Sequence, residues 1–273
     1  MTELSWRIIL ESQQEYFIER LDCFLTAKFH LFYNPTELSC FNSNLEGGVN
    51  SETLNKFGYS ELVKIELDRD EDMFLDFFCQ EMVDKYYRTT WVNDIPYRNK
   101  EAYASHKLGK LGEEAVKRCL GDLITDVDYK IYSHGDGGID FRLVSKNEIC
   151  IQVKTIPVYR FSEGYEITSY DYMSKSDRVR DFVWKTSTET INKNKVLICV
   201  LMLNCVQGEC IQGELLKSKM YDGETYDFVI AGFKPTEDIN KENNLILINN
   251  YYDIKIKDLL YGGGIPGYLK SLT

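Results

Sequence analysis

Apolar positions recur at helical spacing through the first 120 residues and at strand spacing over most of the remainder. Over residues 5–33, Ile8, Ile9, Tyr16, Phe17, Leu21, Phe24 and Leu25 follow three- and four-residue steps, which predicts an amphipathic helix. Residues 33–58 are rich in Asn, Ser and Gly and read as loop. Residues 70–91 predict a second helix, with acids in its first turn and Lys85 and Arg88 near its end, as a helix dipole favours. The stretch VNDIPYRN breaks that pattern, and a soft domain boundary falls near residue 98. Residues 100–123 predict a long helix with Leu108, Leu111, Ala115, Val116, Cys119 and Leu120 on one side.

Beyond it the period shortens. DVDYKIYS, IDFRLVS and EICIQVKT read as strands, SDRVRDFVWKTS as a further helix, and KVLICVLML as a central strand covered on both faces. YDFVIAGF and LILINNYYDIKI add two more strands before a glycine-rich tail. The expected fold class is α/β. A mainly helical region, residues 1–98, precedes a domain, residues 99–273, with a mixed sheet of about five or six strands flanked by helices.

Composition narrows the function classes. Hydrophobic residues make up 44% and charged residues 27%, as in a folded globular chain. No run of about 18 apolar residues is present, and the first residues are too charged for a signal peptide, so a cytoplasmic protein without a membrane span is expected. The 8 cysteines form no C-x-x-C pair and several lie in apolar runs, which favours buried reduced thiols. With only 3 histidines, scattered at 30, 106 and 134, a zinc cluster has little to build on. The net charge of −11 opposes a grip on nucleic acid, but it is unevenly spread. Residues 1–99 hold 9 Lys and Arg against 18 Asp and Glu, whereas residues 100–194 are balanced at 15 and 15.

The candidate chemistry lies in SHGDGGIDFRL and CIQVKT. Strand alternation turns Ile139, Phe141, Leu143, Ile151 and Val153 one way, and Asp140, Gln152 and Lys154 the other. If the two strands pair through SKNE, those three polar residues meet at one end of the sheet. Asp140 supplies a hard, charged oxygen for a divalent cation, and the Gln152 amide and Val153 backbone carbonyl supply neutral ones. Lys154 can orient a water and offset negative charge developing on a phosphate. Glu113 or Glu114, on the helix LGKLGEEAVKRCL, reaches the same ion if that helix packs beside the hairpin.

Plainer readings accompany each of these. Asp140 and Lys154 could form a cross-strand ion pair on a solvated hairpin. Asp136 could be a turn former and His134 a solvated loop residue. Lys175, Arg178, Arg180 and Lys185 could grip phosphates or line the solvated side of a helix. Tyr159, Tyr165, Tyr170 and Tyr172 could stack on bases or simply pack. YGGGIPGYL lacks the Lys-Ser/Thr of a phosphate loop.

The order of Glu113 after G-x-x-G, then GGID ending at Asp140, then QVK ending at Lys154, resembles the PD-(D/E)xK nuclease superfamily. It is similar in particular to the Mrr-type members that carry glutamine in the third motif. The resemblance spans roughly residues 105–205. It implies a restriction-endonuclease-like αβββαβ core and an endonuclease dependent on Mg²⁺ (or Mn²⁺). By position, Asp140 and Glu113 would bind the metal, Gln152 would replace the usual acid, and Lys154 would be the catalytic lysine. The implied partner is nucleic acid, DNA ahead of RNA, in a defence or mobile-element setting. Two copies of the chain would supply the two sites a duplex break needs, and residues 1–98 would contact a target, a protein partner or that second copy. The sequence departs from the pattern in having GGID where PD stands, and in the Gln152 that leaves the site one negative charge poorer. A catalytically inactive binding or regulatory subunit on the same fold is the alternative.

Overall fold

A strand of 16 residues, the longest among the described residues, organises the rest. The computed structural model describes residues 3–26, 63–86, 95–127, 138–161, 164–168, 175–206, 226–241, 247–248 and 251–273. In chain order these form α1 (Glu3–Thr26), β1 (Val63–Ile65), α2 (Arg69–Tyr86), α3 (Ile95–Leu120), β2 (Ile124–Asp126), β3 (Phe141–Leu143), β4 (Lys146–Phe161), β5 (Gly164–Thr168) and β6 (Lys175–Ser176). There follow β7 (Val183–Ser187), α4 (Thr188–Lys193), β8 (Val196–Val206), β9 (Tyr226–Pro235), α5 (Thr236–Lys241), β10 (Leu247–Ile248), β11 (Tyr251–Lys255) and α6 (Ile265–Ser271).

The main sheet runs β1-β9-β8-β4-β3-β2, with β5 also on β4 and β6 on β5. β4 and β8 are parallel and every other pair in it is antiparallel, so the sheet is mixed. The chain is α/β, as its sequence pattern indicates. β10-β11-β7 form a small separate sheet, which takes the segment LILINNYYDIKI out of the main one. The expected helix over SDRVRDFVWKTS does not form. Val179–Asp181 make one 3-10 turn and Val183–Ser187 a strand whose burial alternates, with Trp184 and Thr186 inward. Tertiary pairing with β11 decides the outcome in a segment short enough to satisfy either period.

β8 explains why the centre holds. Val196, Leu197, Ile198, Cys199, Val200 and Leu201 are all fully buried, between β4 on one side and β9 on the other. α1 joins the same core through Leu10, Phe17, Ile18, Leu21 and Leu25, the three- and four-residue steps of one helical face. Ile8 and Tyr16, expected on that face, are exposed. Gln14 takes a buried place in the stripe because its Nε2 donates to the Ala231 and Ile256 carbonyls at 2.7 and 3.0 Å. Trp6 packs on Tyr268 and Phe17 on Tyr261, at centroid separations of 5.7 and 5.6 Å. From residues 1–98, α1 and β1 therefore share their apolar contacts with the later strands, and residue 98 itself lies inside α3. Pro96 is tolerated there because it stands in the helix's first turn. Among the described residues no helix is long and apolar enough to cross a membrane, and Cys79, Cys119, Cys150 and Cys199 are free thiols.

α2 is fixed to α3 by charge. Lys107 is 0% exposed, with its Nζ 3.1 Å from Asp72 and 3.3 Å from Asp76. Burial raises the Asp72 carboxyl above its ordinary value, an effect that Lys107 opposes. Over the interval between those values the folded state holds a proton that the unfolded chain has released. This residue's contribution to stability therefore declines as pH rises through it. Removing one partner of such a pair leaves an uncompensated buried charge. Lys107→Met should cost about 3–5 kcal/mol in urea unfolding, and Lys107→Met with Asp72→Leu should recover most of that loss.

Candidate functional site

β4 is paired unevenly along one edge. β3 accompanies it as far as Ile151 and β5 takes over from Val158, so residues 152–157 have no strand neighbour on that flank among the described residues. Backbone donors in such a gap need other acceptors. The Val153 N–H finds one in the Asp140 carboxylate, donating to Oδ2 at 2.6 Å. Asp140 is reached through Gly138, whose φ of 79° suits a residue without Cβ, and its own N–H donates to the Ile151 carbonyl at 3.0 Å. Pro157, at the far end of the gap, has no N–H to satisfy.

The expected residues fall around this gap. The register Phe141↔Ile151, carried one step further, sets Asp140 beside Gln152. Asp140 is only 6% exposed, more buried than alternation alone indicates. Gln152 and Val153 are half-buried and Lys154 is exposed. No ion pair joins Lys154 to Asp140, so the plain cross-strand pair is not what holds the hairpin. Lys154 lies in register with Cys199 of β8, whose thiol burial pushes up to about 12. Neither it nor Cys79, also raised to about 12 by burial, has the character of a nucleophile.

The helix acid is delivered by close packing. A Cβ on Gly112 would lie 1.8 Å from Thr155 Oγ1, so only glycine lets α3 press this closely on β4. The next residue, Glu113, and the neighbouring Glu114 then line the same cleft as Asp140, about 410 Å³ in volume. Glu113 is the deeper, its side chain 16% exposed against 39% for Glu114. Glu113 pairs with Lys110, whose Nζ also sits 5.4 Å from the centre of the Phe78 ring. Glu114 pairs with Arg118 at 3.1 Å, along the surface of the helix. α2 and the residues before it add Leu67, Glu71, Phe74, Leu75 and Phe78 to the lining of the cleft. Nothing in the sequence pattern marked α2 as part of the site. The acids in its first turn, Glu71 among them, are accounted for by the helix dipole.

The proposed basic face lies elsewhere. Arg178 and Arg180 line a second cleft, of about 670 Å³, facing Glu11, Glu15, Glu19 and Asp22 of α1. Lys175 pairs with Glu166 at 3.1 Å and Lys185 with Asp253 at 2.7 Å. Charge for charge, this surface does not attract phosphate. Tyr159 and Tyr165 are buried, the latter donating its hydroxyl to Asp22. His134, Asp136, Tyr170 and Tyr172 lie outside the described residues. Among the described residues no three His, Cys, Asp or Glu side chains converge as a metal group. The expected set contains only two, Asp140 and Glu113; Gln152, Val153 and Lys154 do not line the cleft that those two share, and lie beside it on β4.

Asp140 thus has a structural duty that can be separated from any chemical one. Asp140→Ala strands the Val153 N–H and should destabilise the protein by about 1–3 kcal/mol, whereas Asp140→Asn keeps an acceptor and should cost much less. Gly112→Ala should cost about 1–3 kcal/mol by overpacking, with partial recovery on adding Thr155→Ala, both read from thermal unfolding. No family model, curated protein or solved structure matches this chain.

Proposed function

We propose that the protein is a metal-dependent endonuclease that hydrolyses phosphodiester bonds, DNA ahead of RNA. The observation that carries this reading is the convergence of two carboxylates from distant segments, Asp140 and Glu113, on one cleft beside the open edge of β4. The order of elements supports it further: α3, then the antiparallel meander β2-β3-β4, then, after the inserted strands β5, β6 and β7, α4 and a strand, β8, parallel to β4. That succession agrees with a restriction-endonuclease-like αβββαβ core.

The donors suit a hard cation such as Mg²⁺ or Mn²⁺, being two carboxylate groups, an amide and a backbone carbonyl. When bound, the ion supplies a more acidic water and charge stabilisation at the phosphate. The chain's own part is positional. The Val153 N–H fixes the Asp140 carboxylate against β4, and Lys110 holds Glu113 until a cation competes for it. Lys154, exposed on the same strand, contacts the phosphate and offsets its developing charge.

A second reading has its own observation. Asp140 and Glu113 both have partners within the protein, Val153 N–H and Lys110, as the acids of an inactive nuclease fold serving as a binding subunit would have. Incubation of plasmid, linear duplex, single-stranded DNA and RNA with Mg²⁺ or Mn²⁺ separates the two. An enzyme cuts at least one substrate, and Asp140→Asn and Lys154→Ala each lower the rate by about a hundredfold or more. It is also protected against thermal unfolding by the metal, and Asp140→Asn removes that protection. No cutting together with no metal protection would sink the nuclease reading in favour of the subunit.

A further inference from the structure

The cleft that holds the two acids also has an aromatic, open part. Phe74 is 73% exposed and lines the cleft, with Phe78 deeper along the same helix. A large apolar side chain left in water does nothing for folding, and the helix that carries it is held rigidly by the buried Lys107 pairs with Asp72 and Asp76. The ring is therefore presented on a fixed frame in the same cleft as Asp140.

Charge on the cleft points to what the ring meets. Lys110 is engaged with Glu113 and Lys117 with Asp126, and Glu71, Glu114 and Asp140 add further negative charge. With a net charge of −11, the protein gains little by gripping a phosphate backbone with cations. A ring adheres to a nucleobase without regard to charge, because every base has a π-face. A cleft of about 410 Å³ is of a size for one small organic group and leaves no room for a stacked pair with both backbones.

Resting on the nuclease reading above, we propose that Phe74 stacks on an unpaired base next to the scissile phosphate, and that the substrate is single-stranded or locally unpaired nucleic acid. Phe77 is 70% exposed on the same helix but does not line the cleft, so it is the internal control.

The test is fluorescence anisotropy with a short fluorescein-labelled oligothymidylate and its duplex with oligoadenylate, with Ca²⁺ in place of Mg²⁺ and again in EDTA. The single strand should bind more tightly than the duplex. Phe74→Ala should weaken single-strand binding roughly tenfold, with a weak dependence on salt, and Phe77→Ala should leave it unchanged. Phe74→Trp should retain binding, and saturation with an unlabelled strand should quench its added indole. Phe74 is too exposed for its loss to unfold the protein, which melting curves of the variants check. Equal binding by Phe74→Ala and wild type overturns the stacking role, as does equal or tighter binding of duplex. Equal losses in Phe74→Ala and Phe77→Ala overturn it too, indicating a broad apolar contact surface. Cleavage that persists in Phe74→Ala at the wild-type rate removes this proposal and leaves the nuclease reading standing. Absence of both binding and cleavage in wild type removes both.

Discussion

A single hydrogen bond, from the Val153 N–H to the Asp140 carboxylate, closes a break in the sheet that would otherwise leave a backbone donor without an acceptor. β4 outruns its partner β3, and the next strand on that flank begins only at Val158. The interval must be supported by side chains, and the acid that supports it is drawn to the sheet's edge and out of water. Gln152 and Lys154 lie in the same interval, where β4 is paired with β8 on one flank and has no strand beside it on the other among the described residues. Location of the site and continuity of the sheet are thus one problem with one solution.

The second requirement is that α3 lie close enough to β4 for Glu113 to share the cleft. Gly112 permits that approach, and the far side of α3 is held by the fully buried Lys107 reaching into α2. A buried ammonium is costly, and it is kept only where two carboxylates compensate it. Its effect is to specify one orientation of α2 against α3, and with it one width for the cleft. Lys110, one turn further along, extends the same chain of charges to Glu113.

Much of this was legible in the sequence because it rests on local periodicity. The apolar side of α3, the continuous run that became β8, and the alternation around Asp140 all follow from the period of one element. What periodicity could not convey were decisions made by distant partners. The segment around Val183–Ser187 became a strand because β11 lies beside it. Arg178 and Arg180, adjacent in sequence to the QVK strand, turned toward the acids of α1. The part α2 takes in lining the cleft was invisible because it depends on how that helix packs on α3, which no local period conveys. Asp140 stood out by strand alternation, whereas the pattern left Glu113 and Glu114 level and only the family resemblance favoured Glu113. Asp140's burial was not legible, since it depends on where β3 stops.

The seating of α1 bears on how the chain is made. Leu10 packs where any side chain on residue 264 would collide with it, and Gln14 bonds to carbonyls at 231 and 256. A ribosome releases α1 more than two hundred residues before those partners exist. The helix must therefore wait, with its apolar face uncovered, until those later segments have been made, and contacts of this sequence separation close slowly. During that interval the uncovered face of α1 is open to chaperones and to premature association.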